Sequence, residues 1–471
     1  MVATNSVIVA IVPHPGFSHV NSLFLLARLI ASHNIPVHFI CLSEFNQDLK
    51  LSVKGEYFGD INNIHFNDIL IPPVEYCEST GDGDDRMILF RELMKQHWDP
   101  VQRTCVELSK STKKLVIIYD SIMRVILGDV HSCHNVDTYI FHAGSALSKY
   151  SMLRQSINDL DVVDDDHEKL LHQMHDEFPT MDSCYPPLMD EFVKDLHEWD
   201  HNSGEFMISS REVEGKYFDL LANAKNKKPL WALGPLHMLL QSNYSSSSSS
   251  SRHECLEFLD NQDVNSVIYV SFGTGTKLSQ EQLNELAFGL EKCNQRFIWV
   301  IGKGDHDNIT NNKKGADKFE KKFGKIELPQ GFEERVKRRG MTVRNWVPQL
   351  EILGHPSTGG FLSHCGWNSC MESISMGVPI IAWPNEWEQP YNAILITNVL
   401  NIGISLCNWT RKDELVTSES IEKSVKILMD TTEGEEMRKR AVELSNKIKS
   451  SVSPRGATSK EVESFISYIT K

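Results

Sequence analysis

Residues 346–389 read WVPQLEILGHPSTGGFLSHCGWNSCMESISMGVPIIAWPNEWEQ, and this stretch decides the fold of the second half of the chain. A short apolar strand at Gly360–Leu362 runs into His-Cys-Gly-Trp-Asn-Ser, and a helical pattern follows at Met371–Met376. A strand, a glycine-containing turn and a helix N-terminus together form an anion site, because free backbone N–H groups and the helix dipole face the ligand. We therefore expect a phosphate-bearing ligand at this turn.

The side chains around the turn favour a ligand larger than an isolated anion. Asn368 and Ser369 are placed to cap the helix or to bind a phosphate, and Glu372 lies one turn further on, within reach of a sugar hydroxyl. A capped helix alone would explain Ser369 but not His364, Trp367 and Glu372 together. The pattern indicates a ligand with both phosphate and sugar groups.

Outward from this stretch, the chain alternates strands and helices. Val7–Val12 is a short β-branched run, His19–Ser32 carries apolar residues at helical spacing, and Val37–Cys41 is a second strand. A strand, a helix and a strand in such close succession form a βαβ unit, which implies a parallel sheet. Further predicted elements are the strands Leu115–Tyr119, Tyr139–His142, Ser266–Phe272, Phe297–Ile301, Gly359–Leu362, Val378–Trp383 and Gly403–Ser405, and the helix Ser279–Cys293. The pattern restarts at Ser266, so we predict an α/β protein with two successive halves.

Composition and charge narrow the class of protein. The 471 residues include 48 Lys and Arg against 63 Asp and Glu, a formal net charge of −15, which argues against a nucleic-acid or anionic-membrane partner. The apolar run at Val7–Val12 lacks a basic flank and is too short for a signal peptide or a membrane span. Ten cysteines are scattered without the spacing of a disulfide framework or a zinc site. We expect reduced thiols and a cytoplasmic location.

The serine tract Ser245–Ser251 separates the two halves. Such a tract cannot bury apolar surface and is typical of a flexible connection. A surface loop within one domain is the alternative, but the restart of the strand pattern favours an interdomain linker. We expect domains at 1–241 and 256–445, a serine-rich linker at 242–255 and a final helical segment at 446–471.

The stretch 346–389 resembles the signature of plant secondary-product glycosyltransferases, which are family 1 UDP-sugar-dependent enzymes. The segments Phe17–Cys41, Val116–Val130 and Leu328–Ser375 most resemble the zeatin O-glucosyltransferase branch. The resemblance implies a GT-B fold: two Rossmann-like domains facing each other across a cleft, with segment 446–471 packing back on the N-terminal domain. It also implies inverting transfer of glucose from UDP-glucose to a cytokinin or a flavonoid or other phenolic acceptor, which gives a β-glycoside.

The resemblance also assigns roles to residues that match the family motif. The UDP-binding positions are Ser271, Gly273, Thr274, Trp346, Val347, Gln349, His364, Asn368, Ser369 and Glu372, and the sugar-binding positions are Trp367, Glu388 and Gln389. Trp346 matches the tryptophan on which uracil stacks, and Gln349 and Glu372 match the ribose contacts. The family more often has aspartate at the position of Glu388, and a longer side chain there would shift the sugar preference or admit a second sugar such as xylose.

A histidine and an aspartate in the first half match the catalytic pair of the family. His19 matches the base, in the loop after the first strand, and Asp120 matches the carboxylate that fixes the histidine tautomer and stabilises the imidazolium. The local sequence Pro15-Gly16-Phe17-Ser18-His19 stands where Gln-Gly-His is more usual, which puts the shape of the loop in doubt.

Three other functions stay open at this stage. A C-glycosyltransferase acting on a phenolic acceptor would use the same residues. A sensor that binds UDP-sugar without turnover is disfavoured by the intact His19 and Asp120. A nucleotide-dependent oxidoreductase is disfavoured because Gly273-Thr-Gly275 lacks the third glycine of the dinucleotide fingerprint.

We expect no cofactor and no metal, and a monomer whose partners are a UDP-sugar and a small-molecule acceptor. Asp82-Gly-Asp84 and Asp164-Asp-Asp166 match the Asp-x-Asp of metal-dependent glycosyltransferases, but both lie in polar stretches with no adjoining predicted strand. The resemblance implies that the acceptor pocket is lined by loops at roughly Leu70–Trp98 and Tyr139–Met189.

Overall fold

The computed structural model of the chain describes residues 7–52, 63–70, 99–156, 165–174, 177–185, 202–224, 228–241, 252–273, 276, 278–301 and 327–471. The chain divides into two compact units. The first takes the described residues of Met1–Ala146, Tyr185–Ser248 and Ser451–Lys471, and the second takes those of Leu147–Cys184 and Ser249–Ser450. The domain limits 1–241, 242–255, 256–445 and 446–471 stay a prediction.

A seven-stranded parallel sheet forms the centre of the first unit. Its strands are β1 (Val7–Val12), β2 (Val37–Leu42), β3 (Ile64–Ile69), β4 (Lys114–Asp120), β5 (Val136–His142), β6 (Gly204–Met207) and β7 (Leu230–Ala232). They lie in the order β3-β2-β1-β4-β5-β6-β7. The sheet is accompanied by the helices Phe17–Ser32, Ser43–Ser52, 99–111, Arg211–Ala224, Leu236–Gln241 and Ala457–Thr470, and by the 3₁₀ segment Ser121–Ser132.

The central strands of this sheet are almost entirely apolar because both of their faces are covered. β1 and β4 are buried along nearly their whole length, and they pair in parallel from Val7 with Lys114 to Val12 with Tyr119. Continuous burial of Val and Ile residues is characteristic of parallel strands that have structure on both faces.

The C-terminal helix Ala457–Thr470 belongs to this first unit. Phe465 is fully buried, with its ring 5.2 Å from that of Trp231 and 6.0 Å from that of Tyr139. The indole Nε1–H of Trp231 donates to Ser464 Oγ at 3.3 Å. Burial of one such phenyl ring contributes roughly 1.5–3 kcal/mol, so the helix is an integral part of this core.

A six-stranded parallel sheet forms the centre of the second unit. Its strands are β8 (Val267–Ser271), β9 (Arg296–Val300), β10 (Gly340–Val343), β11 (Thr358–Ser363), β12 (Ile380–Ala382) and β13 (Gly403–Ser405), in the order β10-β9-β8-β11-β12-β13. The α-helices are Ala146–Ser156, Asp165–Met174, Met181–Cys184, Glu254–Asp260, Gln280–Lys292, Phe332–Val336, Gln349–Leu353, Trp367–Met376, Gln389–Ile394, Ser418–Asp430 and Thr432–Val452, with the π segment Leu395–Val399 and the 3₁₀ turn Trp409–Arg411.

In both sheets the first strand of the unit lies in the interior. The next two strands lie on one side of it and the later strands on the other, so the strand order reverses at the first strand while all strands stay parallel. This is the strand order of Rossmann-like folds, in which ligands bind at the carboxyl ends of the strands near the reversal. The predicted α/β class with two Rossmann-like halves is confirmed. Among the described residues, no helix is both long enough and apolar enough to cross a membrane.

Candidate active site

The predicted catalytic pair lies at the carboxyl ends of β1 and β4, which are neighbours in the first sheet. The chain leaves β1 at Val12 and enters the helix Phe17–Ser32 through Gly16, whose backbone carbonyl accepts from Val20 N at 2.9 Å. His19 is therefore in the first turn of the helix and not in the preceding loop. Its Nδ1 lies 2.5 Å from Oδ2 of Asp120, the last residue of β4.

Asp120 is held as an ionised acceptor. Its side chain has no exposed surface, and its Oδ1 accepts from Ile122 N at 3.1 Å at the start of the 3₁₀ segment. Burial raises the pKa of this carboxyl, but the charge of His19, its hydrogen bond, the nearby His14 and the Ile122 N–H together outweigh burial and leave the pKa below its usual value. An ionised Asp120 accepts from Nδ1–H of His19, which makes Nε2 the proton-accepting nitrogen.

A second histidine, missed by the sequence analysis, lies beside this pair. The rings of His14 and His19 meet edge to face, with centroids 5.0 Å apart. Gly16 adjoins both rings: a Cβ at this position would lie in van der Waals contact, 3.4 Å from His14 Cδ2 and 3.6 Å from His19 Cδ2. The available signal was the sequence Pro13-His14-Pro15, a histidine held between two prolines directly after β1.

In the second unit, the turn after β11 is held by buried hydrogen bonds. Ser363 Oγ accepts from Cys365 N at 3.1 Å, and Asn392 Nδ2 donates to the Cys365 carbonyl at 2.9 Å. Cys365 itself has a left-handed backbone with φ 64°. The helix then begins at Trp367, and Gly366 at its N-cap provides no side-chain cap hydrogen bond. Asn368 and Ser369 lie in the first turn of this helix. Because glycine has no side chain, Gly366 does not cap the N–H groups of this turn.

His364 is packed between two glycines. A Cβ on Gly273, at φ 69°, would lie 2.8 Å from His364 Cε1, and a Cβ on Gly366 would lie 2.5 Å from His364 Nε2. These contacts require glycine at both positions. Burial lowers the pKa of His364 to about 4, so the ring is neutral at physiological pH. Its Nδ1 has no hydrogen-bond partner among the described residues, and a neutral imidazole can donate one N–H to an anion.

A second network links the helix Gln349–Leu353 to the helix Trp367–Met376. Tyr269 Oη donates to Gln349 Oε1 at 3.1 Å, and Gln349 Nε2 lies 2.7 Å from Glu372 Oε2 and 3.1 Å from Ser369 Oγ. Burial raises the pKa of Glu372, and the Gln349 amide partly opposes this rise. Tyr269, which the sequence motif does not single out, orients the Gln349 amide from inside the core strand β8.

Trp346 presents its indole to solvent just before this network. Its side chain is 79% exposed, although an indole is among the side chains that gain most from burial. The His253 ring meets it edge-on, with centroids 6.4 Å apart. The neighbouring Val347 is buried, and its carbonyl accepts from Gln349 N at 2.9 Å. An exposed indole on a fixed backbone offers a flat surface for an aromatic ligand.

Two of the three predicted sugar-binding residues, Glu388 and Gln389, follow β12, whereas Trp367 begins the helix after β11. Gln389 is buried, and its Oε1 accepts from Asn385 N at 2.9 Å and from Glu386 N at 3.2 Å. The side-chain carbonyl of Gln389 therefore bonds to the loop backbone, and its NH₂ group is the one that can donate to a ligand. Glu388 is half-buried at the N-cap of the helix Gln389–Ile394. Trp383 is a core residue whose ring lies 5.3 Å from that of Phe272.

Some of the predicted positions lie outside the described residues. These are Thr274 of the phosphate loop, the Asp82 and Asp84 pair, Asp164, and the parts of the predicted acceptor walls at 71–98, 157–164, 175–176 and 186–189. Within the part of the chain that the structure describes, no group of three or more His, Cys, Asp or Glu side chains could hold a metal ion.

Comparison with known proteins identifies the family. Residues 5–238 match the family described as "Glycosyltransferase, N-terminal domain", and residues 214–449 match "UDP-glucoronosyl and UDP-glucosyl transferase". The chain belongs to this family of UDP-glycosyltransferases. It is a UDP-sugar-dependent glycosyltransferase with the GT-B fold, as the resemblance implied.

Individual relatives are similar over almost the whole chain. The zeatin O-glucosyltransferase of Phaseolus lunatus is 38% identical over 99% of this chain and 97% of its own, and the zeatin O-xylosyltransferase of Phaseolus vulgaris is 37% identical over 99% and 98%. Among solved structures, a transferase from Siraitia grosvenorii in complex with UDP is 27% identical, with a TM-score of 0.74 over 99% of this chain and 100% of that one.

Proposed function

We propose that this enzyme transfers glucose from UDP-glucose to a hydroxyl of a small-molecule acceptor, with inversion, and that His19 is the base. The observation that carries the proposal is the 2.5 Å contact between His19 Nδ1 and the buried carboxylate of Asp120. A histidine that donates through Nδ1–H accepts a proton at Nε2, and the carboxylate stabilises the imidazolium that results. A ligand-sensing protein would gain nothing from this arrangement.

The reaction follows from these groups in one displacement. His19 Nε2 removes the proton of the acceptor hydroxyl while that oxygen attacks the anomeric carbon of the α-linked UDP-sugar. The bond from the anomeric carbon to the diphosphate oxygen breaks, and UDP leaves with the electron pair. Attack opposite to the leaving group gives a β-glycoside, and positive character develops on the sugar ring in the transition state.

We propose that the second unit holds the donor. Uracil would stack on the exposed Trp346, with the Val347 backbone at its edge, and the ribose hydroxyls would bond to Gln349 and Glu372. The diphosphate would lie at the N-terminus of the helix Trp367–Met376, where N–H groups and the helix dipole favour negative charge. The other diphosphate contacts proposed are Ser271, Gly273, Thr274, His364, Asn368 and Ser369.

No metal is required in this proposal. The departing diphosphate is stabilised by the helix N-terminus, by hydroxyl groups and by a neutral His364, which donates a hydrogen bond without adding a formal charge. We also propose a monomeric enzyme that acts in the cytoplasm.

The acceptor class rests on the relatives. Two of them are named for zeatin, one with glucose and one with xylose as the transferred sugar. We propose a cytokinin or a flavonoid or other phenolic acceptor for this chain, with glucose preferred over xylose. A zeatin-type alcohol ionises far less readily than a phenol, so it depends more strongly on the His19 base.

A panel of acceptors tests this function. The enzyme is incubated with UDP-glucose and a set of cytokinins, flavonoids and simple alcohols, and the products are read by mass spectrometry and by the anomeric coupling in NMR. We expect β-O-glucosides. Products that resist acid hydrolysis would indicate transfer to carbon, and UDP-glucose binding without product from any acceptor would indicate a sensor.

A further inference from the structure

The loop that carries the proposed sugar contacts has an unusual backbone. Residues 385–389, here called the donor loop, contain Trp387 at φ 59°, in the left-handed region that side chains other than glycine seldom adopt. Such a conformation persists only where the surroundings hold it. Trp387 N donates to the carbonyl of Cys184 at 3.1 Å. The element that holds the loop thus comes from the sequence before the serine tract.

Residues 177–184, here called the supporting segment, lie in the second unit and contact its C-terminal part at a further point. Ser183 Oγ accepts from the indole Nε1–H of Trp409 at 2.9 Å, and the Ser183 carbonyl accepts from Lys412 Nζ at 2.5 Å. The Lys412 ammonium also lies 4.8 Å from the centre of the Trp409 ring. Three hydrogen bonds therefore join Ser183 and Cys184 to the C-terminal half of the sequence.

Gln155 connects the supporting segment to the helix Gln389–Ile394. Its Nε2 donates to Tyr391 Oη at 3.3 Å and to the Pro179 carbonyl at 3.1 Å, and its Oε1 accepts from Met181 N at 2.9 Å. Tyr391 is fully buried, and its ring meets that of Phe178 at 5.9 Å. Tyr391 lies two residues after Gln389 in the same helix. The segment thus holds both the donor loop and the helix that follows it.

We propose that the supporting segment is a positioning element of the donor site and that it influences which sugar is transferred. The family resemblance implies that residues 139–189 line the acceptor pocket, and this stays a prediction. The segment also contacts the loop that presents Glu388 and the amide of Gln389. A loop held by Cys184 and Ser183 keeps the carboxylate and the amide at a fixed spacing, which is what discrimination between equatorial and axial hydroxyls requires. This inference rests on the proposed sugar contacts of Glu388 and Gln389.

The test is kinetic, with three substitutions outside the donor loop. Ser183→Ala removes the acceptor for Trp409 together with the hydroxyl bonds to Thr180. Gln155→Leu removes the bond to the Tyr391 phenol together with those to Pro179 and Met181. Tyr391→Phe removes the phenol that bonds to Gln155 and Cys184. For each variant, KM, kcat and the ratio of kcat/KM for UDP-glucose over UDP-galactose are measured, together with the Kd of UDP by calorimetry. Loss of one neutral hydrogen bond corresponds to about a three- to tenfold change. We expect KM for UDP-glucose to rise and the ratio to fall by at least this factor, while the Kd of UDP is unchanged.

Two comparisons separate positioning from a loss of stability. Ser357→Ala is the matched control, because the Ser357 hydroxyl also makes buried hydrogen bonds in this unit, to the Leu259 and Gln262 carbonyls. It should leave the sugar ratio unchanged. The double variant with Gln155→Leu and Tyr391→Phe should be impaired by less than the two single effects combined, because both changes remove the bond between Gln155 and the phenol.

Glu388→Ala distinguishes a wrong positioning role of the supporting segment from a wrong sugar contact of Glu388. If Glu388→Ala lowers the sugar ratio but the three test variants retain the wild-type ratio, the positioning role is wrong. A fall in UDP affinity equal to the fall in UDP-glucose affinity would also overturn it, because the effect would then be general. If Glu388→Ala itself leaves the ratio intact, the proposed sugar contact is wrong and the positioning role falls with it.

Discussion

Replacing Asp120 by asparagine changes one atom in a fully buried site and should reverse the tautomer of His19. The two carboxylate oxygens have different partners: Oδ2 faces His19 Nδ1 at 2.5 Å, and Oδ1 accepts from Ile122 N at 3.1 Å. Asparagine has one acceptor oxygen. If that oxygen keeps the Ile122 bond, the NH₂ group faces Nδ1 and moves the imidazole proton to Nε2, where the acceptor proton must go.

The size of the effect follows from the lost interaction. A hydrogen bond to a charged group contributes about 1.5–3 kcal/mol, which corresponds to a loss of roughly 10- to 150-fold in kcat. The effect on stability depends on pH. The pKa of Asp120 in the folded protein lies below its usual value, so the ionised carboxylate stabilises the folded state. This contribution is fully present above the unfolded pKa of about 4 and is lost as pH falls through the lowered pKa. The free energy of unfolding should therefore differ most between wild type and Asp120→Asn at neutral pH and less in acid.

The assay measures kcat with saturating UDP-glucose and an aliphatic alcohol as acceptor, the Kd of UDP by calorimetry, and urea unfolding at neutral and acidic pH. Asp137→Asn is the matched control, because Asp137 is a carboxylate on β5 that pairs with Lys114 at 2.8 Å and is 40% exposed. It should leave turnover unchanged. Wild-type turnover in Asp120→Asn would show that Asp120 does not orient the His19 base.

Three further predictions concern the donor. Trp346→Ala should raise the Kd of UDP about 5- to 150-fold, because stacking of one base on an aromatic side chain is worth about 1–3 kcal/mol. The exposed indole makes few folding contacts, so Tm should stay constant. Unchanged UDP affinity in calorimetry would exclude the stacking role. Activity should survive exhaustive chelation, since the helix at Trp367–Met376 and His364 are proposed to stabilise the diphosphate; a strict requirement for Mg²⁺ or Mn²⁺, restored on addition, would contradict this. UDP-galactose should be used roughly 5- to 150-fold less efficiently than UDP-glucose, because its axial 4-hydroxyl leaves a buried polar group unpaired at about 1–3 kcal/mol; equal use of the two donors in competition would show that Glu388 does not read this hydroxyl.

Strands that are buried on both faces could be predicted from the sequence. Val7–Val12 was predicted with the observed bounds because it is an unbroken apolar run at the centre of its sheet. β3 was missed, since it lies at the sheet edge and exposes His65 and Asp68 within Ile64–Ile69. β6 was missed because it is only four residues long and begins Gly-Glu, with Glu205 buried beside His142. Short strands and edge strands lack the continuous apolar pattern on which the prediction depends.

Helix starts were predicted less well than helix cores. Ser279, the first residue of the predicted helix, is its N-cap and accepts from Gln282 N at 3.1 Å. The Gln282 side chain bonds to the Val416 backbone and not to the cap. In the donor site, the helix at Trp367–Met376 starts four residues earlier than the helical pattern at Met371 indicated, because Trp367 is buried at its start. Long-range partners decide these details, and a single sequence does not contain them.

The residues that orient the predicted site could not be identified in the same way. Tyr269 and Gln349 are separated by 80 positions, and Cys365 and Asn392 by 27, yet each pair forms one hydrogen bond of the donor site. The support of the donor loop by Ser183 and Cys184 is a still longer connection. A motif identifies residues that meet the ligand, whereas the packing of distant elements decides which residues hold them in place.

The most direct test of the account is the turnover of His19→Ala with an aliphatic alcohol as acceptor. We predict that kcat falls by about 10²- to 10⁴-fold, the usual contribution of a positioned general base, while the Kd of UDP is unchanged. With a weakly acidic phenol the loss should be smaller, because such an acceptor ionises without help. Near-normal turnover of the aliphatic alcohol by His19→Ala would show that His19 is not the base.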